Sequence, residues 1–360
     1  MLHRKVLQID EICRSVVIAK QSHNPPMTSK LRNPCICLLL MALALPGCGG
    51  GDGERRAGPP PAPGPAPDIG EAVAVGGSPS AVAAGEGAIW IADNLRGRLT
   101  QVDPASGKAV GSAPAGQGPV AVATGEGAVW VASADGTVRR FDPSTGEPSG
   151  LAEKVPGAAG IAVGEGGVWV TSQTGGTVTR LDPATGRKNA KPVKVGPGPT
   201  DVAVGGGAVW VANSEQRNGT VSRIDPQSLE ASKPVKVVEG QVFALTYGEG
   251  AVWVAGTGLG RGDRIDVLSL DPSSSEVEGA FVRLDRPGLP VRLAAGAGSV
   301  WVTQGGREPG TLARLDPKER RRVGAAGRLE GSPTGVAVGE GAVWVALGGR
   351  GALARVEPSP

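Results

Sequence analysis

The sequence predicts an all-β chain, a seven-bladed β-propeller of four-stranded blades, and three observations carry that prediction. All seven tryptophans, Trp90, Trp130, Trp169, Trp210, Trp253, Trp301 and Trp344, form one series with gaps of 40, 39, 41, 43, 48 and 43 residues. A repeat near forty residues with strand-like patterning is the signature of propeller blades. A Gly-x-Gly turn precedes each Trp at a fixed offset, and an acid followed by proline comes after it. The two ends of the repeat array are complementary, so that one end supplies what the other lacks.

Each copy has the same internal order. A short alternating run such as Val202-Ala203-Val204 is expected as the first strand, and a turn such as Gly85-Glu86-Gly87 or Gly339-Glu340-Gly341 follows. Tight hairpins of this kind need positive φ, which glycine tolerates. The second strand carries the Trp, as in Ala208-Val209-Trp210-Val211-Ala212. The third ends at Asp103-Pro104, Asp142-Pro143, Asp182-Pro183, Asp225-Pro226, Asp271-Pro272, Asp316-Pro317 or the variant Glu357-Pro358. A fourth, more polar strand such as 191–195 suits an outer edge, where Lys and Pro discourage further pairing. The last copy ends after its third strand, and Glu71-Ala72-Val73-Ala74-Val75 stands ahead of the first copy. That segment is expected to complete the seventh blade and close the ring. One Trp at the same strand position in every blade is expected to pack between blades rather than to bind a ligand.

Composition agrees with a chain of thin, closely packed layers: 59 Gly and 31 Pro against three Phe and one Tyr. The formal charge of +3 is misleading. Residues 1–47 hold six Lys/Arg and two Asp/Glu, which leaves 31 basic and 32 acidic residues in the remainder. A nearly neutral body without a basic stripe argues against nucleic acid as a partner. Cys13, Cys35, Cys37 and Cys48 are the only cysteines, and His3 and His23 the only histidines. The repeats therefore have no disulfide framework, no Cys-rich metal site and no Ser-His-Asp triad. No cofactor or metal is expected.

The first 47 residues read as a leader. From Met27, Lys30 and Arg32 precede an apolar run that ends in Leu45-Pro46-Gly47-Cys48. This resembles the lipobox of bacterial lipoproteins, which implies cleavage before Cys48 and a diacylglycerol on its thiol. Translation from Met27 would give a signal of conventional length. Residues 48–70, rich in Gly and Pro, are expected as a tether, and 71–360 as the propeller. The expected location is extracytoplasmic, with the protein a monomer held to the cell membrane by lipid.

The repeat Gly-Glu-Gly-Ala-Val-Trp-Val-Ala followed by Gly-Thr-Val-Ser-Arg-Ile-Asp-Pro resembles the bacterial YVTN-type and virginiamycin B lyase-like propellers and, more loosely, NHL repeats. The likeness covers residues 71–360 and lies in the residues that build blades. It implies the fold. For activity it implies elimination by a His base with a magnesium ion held by acids, but this chain has no His beyond His23. The catalytic His of that family has no counterpart here, and no catalytic residue is carried over; Asp201 is a conceivable substitute base.

Binding residues are sought where the repeat is broken. Nine residues before each Trp stand Ala81, Ala121, Gly160, Asp201, Ala244, Arg292 and Gly335. Asp201 and Arg292 break the small-residue pattern, and Phe243 lies between them in sequence. The stretch from Trp to the acid of the third strand is longest in blades four to six, bringing in Glu215 and Arg217. Asp201, Phe243, Arg292, Glu215 and Arg217 are the candidate ligand-binding set, for a peptide, glycan or protein partner. A lyase- or lactonase-like enzyme is the alternative. The Glu of the Gly-Glu-Gly turns is expected to be an exposed turn residue rather than part of an acidic cation-binding ring.

Overall fold

The computed structural model describes residues 64–215, 218–258, 264–284, 288–306 and 308–358. The leader, Cys48 and Arg217 lie outside them. The described chain forms seven four-stranded antiparallel sheets, six of them meanders of four consecutive strands and the seventh a meander of three joined by an N-terminal strand. Blade four is representative: Pro199–Val204, Val209–Glu215, Asn218–Ile224 and Val235–Val238. The first strands of all seven blades pack side by side around an axis, the first against the second and so on, with the seventh against the first. The ring is closed.

Closure uses the N-terminal segment, as its position ahead of the first copy predicts. Val73 and Ala74 pair with Leu353 and Ala352 in the seventh blade. The paired strand is shorter than the five residues expected. An isolated bridge between Ile69 and Val356 and the bond from Gly70 N to the Arg355 carbonyl (2.9 Å) extend the contact upstream.

Seven apolar clusters hold the molecule together, and each spans a seam. Trp90 packs with Val129, Val131 and Phe141 of the second blade, and Trp344 with Val82, Ile89, Ile91 and Val102 of the first. Every Trp is at most 1% exposed. Burying so large a side chain stabilises by roughly 3 kcal/mol, so the Trp series is the adhesive between sheets. The indole Nε1 of Trp90, Trp169, Trp210, Trp253, Trp301 and Trp344 donates to the glycine carbonyl five residues earlier, at 3.0–3.4 Å. Trp130 has no such partner.

That glycine is required by space. In blade four, a Cβ on Gly205 would lie 2.1 Å from the Tyr247 ring of blade five. The next residue of the hairpin, Glu86, Glu126, Glu165, Glu249 or Glu340, sits at φ 50–54°, in the left-handed region. In four of the five the carboxylate accepts the turn amide of the following blade: Gly127 N to Glu86 (3.1 Å), Gly207 N to Glu165 (3.1 Å), Gly298 N to Glu249 (3.0 Å) and Gly87 N to Glu340 (3.1 Å). All five are turn residues, as expected, with Glu126, Glu165 and Glu249 exposed and Glu86 and Glu340 half-buried, and four of them also latch their blade to the next.

Candidate site at the mouth of the central channel

A meander fixes which ends share a face. Turns between strands one and two, and between three and four, lie on one face. Loops between two and three, and the blade-to-blade links, lie on the other. The first strands start at this second face, and their starts shape the channel mouth.

In six blades the start of the first strand is irregular. Its pairing slips between Pro79 and Ala81, Pro119 and Ala121, Ala158 and Ile161, Pro199 and Asp201, Val242 and Ala244, and Pro333 and Gly335. A bulge leaves one residue unpaired and re-aims its side chain. In five of them the skipped residue is Ser80, Val120, Thr200, Phe243 or Thr334. Blade six has no slip, and Arg292 pairs in register with Thr303.

The mouth holds a cavity of about 400 Å³. Its lining includes Asp201, Phe243 and Arg292 on one side, with Thr200 and Thr246 beside them and the small residues Ala81 and Ala121 across the ring. The three residues that break the repeat in sequence are therefore brought to one cavity. Glu215 is exposed and ends the second strand of blade four, paired with Asn218 on the same face but outside the cavity lining. The seven Trp are buried in the seams.

The polar groups have distinct surroundings. The Asp201 carboxylate turns toward blade five, accepting from Leu245 N (3.0 Å) and from its own neighbour Val202 N (2.9 Å). Burial pushes the Asp201 carboxyl above its ordinary value, against the pull of those two amides and of Arg292. Arg292 is half-buried and donates one hydrogen bond to the Val291 carbonyl (2.9 Å). It makes no ion pair among the described residues. Asp201 and Arg292 thus do not neutralise each other by contact. Phe243 is half-buried, its inner edge against the blade-five and blade-six core cluster. The arrangement offers a cation, an aromatic face and hydroxyls to a polar ligand, while Asp201 ties two blades together.

Thr200 and Thr334 belong to the mouth but were absent from the sequence-derived set. Thr334 Oγ1 donates to the Pro79 carbonyl (2.8 Å), and Ser80 Oγ to the Pro119 carbonyl (2.7 Å), each stitching its blade to the next. The signal was a hydroxyl residue directly after proline, in Pro79-Ser80, Pro199-Thr200 and Pro333-Thr334. Phe243 occupies that bulge position in blade five and cannot make the stitch.

No protein-family model matches the chain, and no curated protein sequence matches it. Among solved structures, Kuenenia stuttgartiensis hydrazine synthase is similar with a TM-score of 0.68 at 13% identity, over 78% of this chain and 95% of that one. Staphylococcus aureus virginiamycin B lyase is similar with a TM-score of 0.65 at 17% identity, over 81% and 99%. A catalytically inactive form of that lyase, solved with quinupristin, gives 0.63 at 16%, over 81% and 99%. At such identities the likeness is one of fold, and the fold that this chain shares with them is the β-propeller.

Proposed function

We infer that the protein is a binding module, held outside the cell membrane by lipid on Cys48, that takes a peptide, glycan or protein ligand at the channel mouth. The observation that carries this reading is the single cavity uniting Phe243, Arg292 and Asp201, the last two at a position that is Ala or Gly in the other five blades. A guanidinium with one intramolecular bond and an exposed aromatic edge suit an anionic or polar group of the ligand. The test is capture from envelope extract by the immobilised protein, with quantitative mass spectrometry of what is retained. Arg292→Ala should lose the captured species while leaving the melting temperature within a degree or so, as expected of a substitution outside the packed core; Phe243→Ala should lose it too, with a drop in melting temperature because its ring packs against the core. Unchanged capture by both variants overturns the site.

One observation favours a second reading, an enzyme of the lyase or lactonase kind. Asp201 is a carboxyl with a raised pKa at a cavity, and perturbed acids of this sort serve as general bases. Incubation with quinupristin, followed by mass spectrometry for the ring-opened product, tests it. Product formed by the parent protein and abolished by Asp201→Asn supports an enzyme; no product in either leaves binding as the function.

A further inference from the structure

The lining of the channel mouth is apolar or neutral except at two places. Among the described residues that line the cavity, Asp201 and Arg292 are the only ionisable ones, and Phe243 is the only aromatic. They come from the first strands of three successive blades, Asp201 in blade four, Phe243 in blade five and Arg292 in blade six. The ring thus sets an anion and a cation on either side of an apolar ring.

Each charge lacks its complement. The two Asp201 oxygens accept one amide apiece, Oδ1 from Val202 and Oδ2 from Leu245. A carboxylate has about four acceptor positions, so each oxygen has one left. Amides fill lone pairs but bring no net charge. Burial accordingly holds the Asp201 carboxyl above its ordinary value, although the two amides and Arg292 pull it down. Arg292 spends one donor, Nη1, on a neutral acceptor, the Val291 carbonyl, and a guanidinium has five. Its field reaches Asp201, yet neither residue forms an ion pair among the described residues. Two opposite charges therefore face one small space without touching. Desolvated charges held apart in this way destabilise a fold, and a ligand that brings both counter-charges relieves them together.

We propose that the mouth binds a small zwitterion, a free amino acid or dipeptide, with its ammonium on Asp201, its carboxylate on Arg292 and an apolar side chain against Phe243. The cavity of about 400 Å³ has room for roughly thirteen waters, which suits a ligand of one or two residues. A guanidinium takes a carboxylate through two parallel bonds, and that fork fixes which way round the ligand lies. A neutral glycan answers neither charge, and an internal stretch of polypeptide has neither terminus. This assignment rests on the channel mouth being the ligand site, and it narrows the ligand to one class.

The first test needs no variant. The purified protein is incubated with an equimolar mixture of the standard L-amino acids and with a degenerate L-dipeptide mixture, and native mass spectrometry reads which masses stay bound. The same mixtures after N-acetylation, or after C-terminal amidation, should each be retained at least about tenfold less, since each loses one charge-assisted contact. In Asp201→Asn the penalty for acetylation should shrink while the penalty for amidation stays, and Arg292→Gln should show the reverse. A merely structural role for either residue would weaken all forms alike. If a variant fails to fold, the blocked mixtures still decide on the parent protein. Equal retention of free and blocked forms, or retention of no zwitterion, overturns the proposal. Capture from envelope extract that needs Arg292, together with indifference to blocking, keeps the binding site and removes the zwitterion. Indifference to Arg292 in both experiments removes both.

Discussion

At the scale of single residues, seven tryptophans in equivalent places differ in one bond, and that difference is measurable. Trp169 Nε1 donates to the Gly164 carbonyl at 3.0 Å, whereas Trp130 Nε1 has no partner. Trp169→Phe should cost about 1 kcal/mol more in chemical denaturation than Trp130→Phe, the net value of one hydrogen bond. Equal losses would show that the indole bond contributes nothing. Two aspartates respond to pH with opposite signs. Hydrogen bonds from the Ser273 hydroxyl and the Ser274 and Ser273 amides hold Asp271 down to about 2. Asp103, Asp182 and Asp225 are lowered by the same kind of turn bonding. A depressed carboxyl contributes stability above its unfolded value near 4, and this is lost as pH falls through the folded value. The melting temperature should therefore drop between about pH 4 and pH 2. Asp201 is raised by burial, so its ionisation opposes folding once the pH exceeds the unfolded value. Asp201→Asn should raise the melting temperature relative to the parent at pH 7, and this gain should vanish in acid; a gain independent of pH would contradict the assignment.

At the scale of elements, the hairpin between strands one and two is fixed by its first glycine. Gly205→Ala drives a methyl into Tyr247 and should cost more than Gly207→Ala, whose Cβ would meet nothing within 4 Å. The first change adds overpacking of roughly 1–3 kcal/mol; the second carries only the left-handed penalty of about 1 kcal/mol. Thermal melts of the two variants give the comparison. Such hairpins were legible in the sequence because the Gly-x-Gly spacing from Trp is invariant. What the glutamate between those glycines does was not legible, since its bond is to the next blade. A similar exchange hides in blade five. Arg140, Arg180, Arg223, Arg314 and Arg355 each lie over the Trp of their own blade, 5.4–6.0 Å from the ring centroid. Blade five has Ser269 at that rung, and Arg320 of blade six reaches across to it, Nε to Ser269 Oγ at 3.0 Å. The sequence shows the missing Arg and the run of bases fifty residues on, but only packing joins them. The channel mouth was half legible for the same reason. Asp201, Arg292 and Phe243 stand out against small neighbours, while Thr200 and Thr334 reach the cavity through bulges that no pattern of period two announces.

At the scale of the whole molecule, the ring depends on its weakest strand. The other blades use fourth strands from their own repeat, whereas the seventh borrows Val73–Ala74. Removal of residues 64–75 should lower the melting temperature by several degrees and open the seventh blade first, visible as early amide exchange in Ala352–Val356. An unchanged melt would show that the seam between blades seven and one closes without the borrowed strand. The blade count and the identity of the borrowed strand could both be read from the repeat register. The bridge from Ile69 to Val356 could not, because Pro and Gly around it read as a tether.

The pairing of Val73 with Leu353 joins residues 280 positions apart. By the logarithmic law of loop closure this costs only about 1.7 kcal/mol more than closing a forty-residue loop, so the equilibrium hardly registers it. Time registers it instead. Within the propeller a ribosome delivers Val73 well before its partner Leu353, and every other seam can form while the seventh still waits. The nascent chain is thus an incomplete arc for nearly the whole of its synthesis, with the Trp344 cluster absent and the apolar flank of blade one uncovered. Quality control that recognises that flank would distinguish a truncated chain from a finished one.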